Sequence, residues 1–168
     1  GAVRAGDRRR PGTARRRVAL LAIRRQDLAA IHAHARAAYP QECCGLLLRS
    51  AGVAVVTARA CANLQQQRHA VDPDAYPRGA RTAYLLDPRA LLDLMAAGAA
   101  APGELAGFYH SHVDCPPVFS AEDRRRALGA QGEPDYPAAA HLVVGVYGGG
   151  GALPLLLLGQ VAFGWWPV

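Results

Sequence analysis

The chain has 168 residues, 51% of them apolar and 19% charged, with a formal net charge of +6. This composition excludes a disordered chain, and the length suits a single domain able to bury a real core. The longest strongly apolar run, Leu153 to Leu158 interrupted by Pro154, is too short to cross a bilayer.

The charge is unevenly spread. Residues 1–17 hold seven arginines against Asp7, while the rest of the chain holds twelve arginines and twelve acids. The basicity therefore belongs to residues 1–17, which are expected to form a disordered, Arg-rich tail set before a folded domain over 18–168. A tail of this kind attracts polyanions in principle, but it is no nucleic-acid-binding surface of a fold. Arg15-Arg16-Arg17 precede an apolar segment of only six residues, Val18–Ile23, which runs into Arg24-Arg25; this is too short for an export signal. The cysteines are Cys43, Cys44, Cys61 and Cys115, and the adjacent first pair would point to opposite sides of a strand. Reduced thiols in a cytoplasm are the expectation.

Val18 to Ile23 reads as a short first strand. Arg24 to Ala38 follows as a helix, with Leu28, Ile31, Ala35 and Ala38 at helical spacing, ended by Tyr39-Pro40. His32 and His34 lie two apart on it, face different directions and read as surface residues. Gln41 to Arg49 is an apolar strand introduced by Glu42, and with Val53–Ala60 across Ser50-Ala51-Gly52 it predicts a hairpin. Residues 62–80 read as a long polar connection, in which His69 has no partner at metal-ligand spacing.

Thr82–Leu86 reads as a short strand. Asp87-Pro88 opens a helix with Leu91, Leu94 and Met95 as its buried stripe, ending near Gly98. Leu105–His112 is a mainly apolar strand, broken by Cys115-Pro116-Pro117. Ser120 is placed to cap a helix over Ala121–Leu128 that carries Asp123. His141–Tyr147 is a further strand, Gly148–Gly151 a turn, and Leu153–Trp166 supplies one or two closing strands. Helices and strands mix without a regular βαβ alternation, so the class is α+β, a mixed sheet with flanking helices.

The chemistry concentrates in Gly107-Phe108-Tyr109-His110-Ser111-His112, followed by Ser120 and Asp123. Side chains alternate along a strand, so His110 and His112 share one face. With Asp123 they make three donors of the kind zinc binds, leaving a fourth position open as in a catalytic site. Such a site needs a general base, and Glu42, an acid opening an apolar strand, is the candidate. Ser120 is placed to hold an oxyanion or a substrate carbonyl. Taken singly, His-x-His on a strand is more often packing, and Ser-x-x-Asp is an ordinary helix start; together, the order and spacing point to a metal site.

His-Ser-His, seven residues, Ser, two residues, Asp, with an upstream Glu, resembles the JAMM motif of the MPN (JAB) metalloprotease family. Tyr39 to Leu47 and Gly107 to His112 look like its small stand-alone bacterial members, and the resemblance covers roughly residues 18–166. It implies a curved mixed sheet flanked by helices, similar to cytidine deaminase. It also implies one zinc ion per chain held by His110, His112 and Asp123, with Glu42 as acid/base and Ser120 as stabiliser of the tetrahedral intermediate. The implied activity is hydrolysis of a peptide or isopeptide bond after the C-terminal Gly-Gly of a ubiquitin-like protein, such as a sulfur carrier. Members commonly carry proline directly after the second histidine, where this chain has Val113. Cys115 is then either a packed loop residue or a fourth ligand that silences the site. A zinc amidohydrolase acting on small peptides or amides, and a non-catalytic interaction module, are the alternative readings.

Overall fold

The computed structural model describes residues 22–50, 55–97, 103–129, 131–148, 152–153 and 159–160. In chain order the elements are β1 (Ala22–Ile23), α1 (Arg25–Ala38), β2 (Cys44–Arg49), β3 (Val55–Cys61), α2 (Gln65–Val71), α3 (Pro88–Ala97), β4 (Glu104–Val113), α4 (Ala121–Ala127), β5 (Ala140–Val146), β6 (Ala152–Leu153) and β7 (Gly159–Gln160). The strands form one sheet in the order β1-β3-β2-β4-β5-β6, with β7 also paired to β5. β1–β3 and β4–β5 are parallel and the other pairs antiparallel, so the expected α+β class with a mixed sheet holds.

Helix α1 covers one face of the sheet. Ile31 and Ala35 are fully buried there against Cys43, Leu47, Val56, Tyr109, Leu142 and Val144, the helical stripe meeting the inward positions of four strands. Asp27 ties the start of the helix down: its carboxylate accepts from Arg24 Nε at 2.6 Å and from the Ala58 amide at 3.2 Å. On the other face Leu46 and Leu48 pack with Leu94, Leu91 and Phe108 under α3. Gly45 is required where the chain crosses this centre, because a Cβ would run into the Arg59 carbonyl and the Tyr109 ring.

The structure corrects the sequence expectations at several places. The 62–80 connection contains α2, built from the good helix formers Gln65-Gln66-Gln67-Arg68. Thr82–Leu86 is not a strand; one bridge joins Leu86 to Asn63, whose side-chain oxygen takes the Gln65 and Leu85 amides at 3.0 and 2.9 Å. A polar side chain there replaces a backbone ladder. Met95 is 75% exposed, because the inward stripe of α3 runs through Ala90, Leu91 and Leu94 and leaves the next position pointing out. His34 is no free surface residue, since its Nδ1 lies 2.9 Å from the Tyr109 hydroxyl. His32 Nε2 is buried without a partner among the described residues. The Arg-rich tail, the first part of the Val18–Ile23 strand, Gly149–Gly151 and most of Leu153–Trp166 lie outside the described residues.

Candidate metal centre

Strand β4 carries the two histidines and is held in register from both sides. It pairs antiparallel with β2, Cys44 opposite His110, and parallel with β5, His110 opposite Val143. The intervening residues face the α1 side. Ser111 is fully buried, and its Oγ accepts the Cys43 amide at 2.8 Å while its own amide donates to the Cys43 carbonyl at 3.0 Å. Tyr109 reaches His34 on that same side. His110 and His112 are thereby turned toward the opposite face.

Asp123 arrives on α4. The Ser120 side chain accepts the Asp123 amide at 3.2 Å and the Asp123 carboxylate accepts the Ser120 amide at 2.7 Å, a reciprocal capping box. The cap fixes the carboxylate where the histidines converge. His110 Nε2 and His112 Nε2 are 3.2 Å apart, and they lie 3.2 and 3.3 Å from the two oxygens of Asp123. A tetrahedral zinc with bonds of about 2.0–2.1 Å spaces its donors about 3.3 Å apart. The buried triangle therefore fits a metal ion such as zinc. His112 Nδ1 is 3.2 Å from the Pro116 carbonyl, which keeps the proton on Nδ1 and turns the Nε2 lone pair inward. His110 Nδ1 has no partner among the described residues, and the Tyr84 ring stacks on that imidazole at 4.5 Å.

The charges are set by competition between burial and neighbours. Burial alone would raise Asp123, but hydrogen bonds from His110 and His112 outweigh it and hold the carboxyl well below the usual range. Burial pulls His110 down, whereas at His112 the opposing pull of Asp123 and Glu42 prevails and moves it up. Glu42 is 6% exposed, just ahead of β2, and burial pushes its carboxyl up to about 8. Its amide donates to the Ala80 carbonyl and its carbonyl accepts from Asn63 Nδ2, both at 2.8 Å, so the backbone on either side of the acid is pinned.

Glu42, His112, Ser120 and Asp123 line one cavity of about 230 Å³, and His110 closes the donor triangle beneath it. All five residues singled out from the sequence are thus brought together. Val113 extends β4 by one pairing, with Val146, and is buried. Asp114 then makes the turn with φ of 53°, its carboxylate taking the Gly148 amide and the Arg81 guanidinium at 2.9 and 2.7 Å. An ordinary strand end followed by a braced turn thus stands where a proline is expected. Cys115 lines the cavity and is exposed, outside the donor triangle.

Other site residues escaped the sequence reading. Tyr84 and Arg126 line both this cavity and a second, more apolar one of about 320 Å³. His141 lies in the second, its ring 4.9 Å from Phe119 and 5.6 Å from Phe108, with Nδ1 unpartnered among the described residues. Burial pulls His141 down to about 4, so it is neutral. The one available signal was a lone histidine opening the apolar run at His141. Nothing near Tyr84 in the chain marked it.

Over 88 residues the chain is 38% identical to a desampylase of Haloferax volcanii, covering 52% of this chain and 55% of that one, about half its length. A protein of Desulfitobacterium hafniense, whose structure was solved in solution, superimposes with a TM-score of 0.51 at 24% identity, covering 74% of each chain, and shows the fold alone. The family of prokaryotic homologs of the JAB domain matches residues 24–154, a span that contains Glu42, His110, His112, Ser120 and Asp123. The chain belongs to that family.

Proposed function

We propose that this chain is a zinc-dependent peptidase that hydrolyses the peptide or isopeptide bond after the C-terminal Gly-Gly of a ubiquitin-like protein, with a sulfur carrier as the substrate we favour. The observation that carries the reading is the buried His110, His112 and Asp123 triangle opening onto the same cavity as Glu42. The likeness to a desampylase supports the substrate class.

One zinc ion per chain, held by His110, His112 and Asp123, supplies Lewis acidity and lowers the pKa of water toward 7. Glu42, which shares the cavity with the metal donors and is favoured in its ionised form beside a bound cation, takes a proton from water and returns it to the leaving nitrogen. Ser120 Oγ uses a lone pair for the helix cap, which leaves its hydroxyl proton free to donate toward a developing oxyanion. An extended diglycine reaches a cavity of about 230 Å³ because it carries no side chains to clash with Tyr84 or Arg126. We place the protein in a reducing cytoplasm, consistent with its four free thiols.

The test is a Glu42→Gln protein assayed on a ubiquitin-like carrier extended past Gly-Gly. Zinc content stays near one per chain, and hydrolysis falls by roughly 10²–10⁴-fold. A zinc-loaded variant cleaving at the parent rate would rule this mechanism out.

A further inference from the structure

Three arginines line the metal cavity, and two of them are committed. Arg81 is bound to Asp114 at 2.7 Å. Arg126 is bound to Glu122 at 2.7 Å and to the Tyr84 carbonyl at 3.0 Å. Arg78 forms no ion pair among the described residues, and its guanidinium has there a single long contact, 3.5 Å to the Thr82 carbonyl. Of the three acids of the cavity, Glu122 is spent on Arg125 and Arg126 and Asp123 on the histidines, while Glu42 forms no ion pair with Arg78 among the described residues.

The root of Arg78 is nonetheless fixed. Its carbonyl accepts from Nε2 of Gln65 at 2.6 Å, and Gln65 is fully buried. Its charge is felt at Glu42, where it opposes the upward push of burial. A cation anchored through its backbone, free at its head and facing the acid/base group, is arranged to meet an anion that enters with the substrate.

The position of Glu42 identifies that anion. On the reading proposed above, on which this inference rests, Glu42 hands its proton to the departing nitrogen, so that nitrogen lies beside it. In a C-terminal amino acid the nitrogen and the carboxylate are joined through one carbon, which keeps them within roughly 4 Å of each other. In a lysine isopeptide the departing nitrogen is followed by four methylenes and no charge. We propose that Arg78 recognises the α-carboxylate of the leaving residue, making the site selective for removing a single C-terminal amino acid from the diglycine end over detaching a lysine. In the reaction the C–N bond breaks and the water oxygen joins the carbonyl carbon. One water proton passes through Glu42 to the leaving amine, and nothing is oxidised or reduced.

The test uses two peptides ending in Gly-Gly-Ala, one a free acid and one a C-terminal amide. Calorimetric binding is measured on zinc-loaded Glu42→Gln protein, which does not depend on turnover. The free acid binds roughly tenfold tighter than the amide, as expected for a charge-assisted bidentate pair. Adding Arg78→Gln removes the preference, and Arg78→Lys restores part of it by keeping the charge without the fork. Equal binding of acid and amide when Arg78 is present, equal weakening of both by Arg78→Gln, or no binding of either peptide would overturn the assignment. Cleavage of the peptides by the parent enzyme is read separately. Discrimination in binding without any cleavage refutes the proposed activity and leaves the carboxylate site standing.

Discussion

Replacing Glu42 with glutamine should make the metal-free protein more stable, and increasingly so as the pH rises. Burial raises this carboxyl from 4.5 to about 8, so the folded state resists its ionisation. Stability tied to the neutral form is complete below the unfolded value of 4.5, and it is lost as pH climbs to about 8. At about 1.4 kcal/mol per pH unit, the full span corresponds to a ceiling of ~5 kcal/mol, reduced in practice by relaxation and water penetration. Glutamine has the same shape and no such loss. The assay is urea unfolding of chelator-treated parent and variant, followed by circular dichroism at pH 5 and pH 8.5. With slopes of about 1–3 kcal/mol per molar urea, a gap of ~2 kcal/mol moves the midpoint by about 1 M. The midpoints should nearly coincide at pH 5 and separate at pH 8.5 with the variant higher. Zinc should narrow the separation, since a cation beside Glu42 favours its ionised form. A gap that is the same at both pH values, or a variant less stable at pH 8.5, would refute the reasoning.

Asp123→Asn should lower zinc affinity, measured by chelator competition, by more than the roughly 10–100-fold typical of losing an outer partner. Helix α4 should stay capped, because an asparagine oxygen still accepts the Ser120 amide. Gly45→Ala should cost about 3 kcal/mol in unfolding free energy, since both the Arg59 carbonyl and the Tyr109 ring stand in the way of the new methyl. Asp27→Asn should destabilise by about 1–3 kcal/mol at pH 7 through the lost charge of the Arg24 and Ala58 bonds. The Arg24 hydrogen bond lowers the Asp27 pKa, so that contribution is present above the unfolded value and disappears as pH falls through the folded one. Thermal unfolding of parent and variant should therefore draw together progressively as the pH is taken below 3.8.

The parts of the site legible in the sequence are those encoded by short-range geometry. Period two puts His110 and His112 on one face whatever the rest of the chain does, and the Ser120–Asp123 spacing builds a capping box from local bonds alone. The same local reading failed where a tertiary partner decides the outcome. Met95 fits the apolar pattern of α3, yet the face of that helix is chosen by Leu46 and Leu48 beneath it. Asn63 looks like a loop residue, yet its side chain holds the Gln65 and Leu85 amides and the Glu42 carbonyl together. His141 stands in the neighbouring cavity because β5 pairs with β4, and Tyr84 and Arg78 reach the site from the connection between α2 and α3. Only the fold reveals these placements.

Strand β4 has no idle face: Tyr109 and Ser111 fasten it to the α1 side while His110 and His112 work on the other. Losing or gaining one residue in the regularly paired part, Gly107 to Val113, would break this alternation, turning imidazoles toward the helix and a tyrosine or serine toward the metal. The segment is therefore constrained in length as well as in identity. A descendant gene could lose this chemistry through a single codon deletion and still spell Glu, His, His, Ser and Asp in the same order. Among relatives, the spacing along the regularly paired part of this strand thus has to be read together with the five side chains.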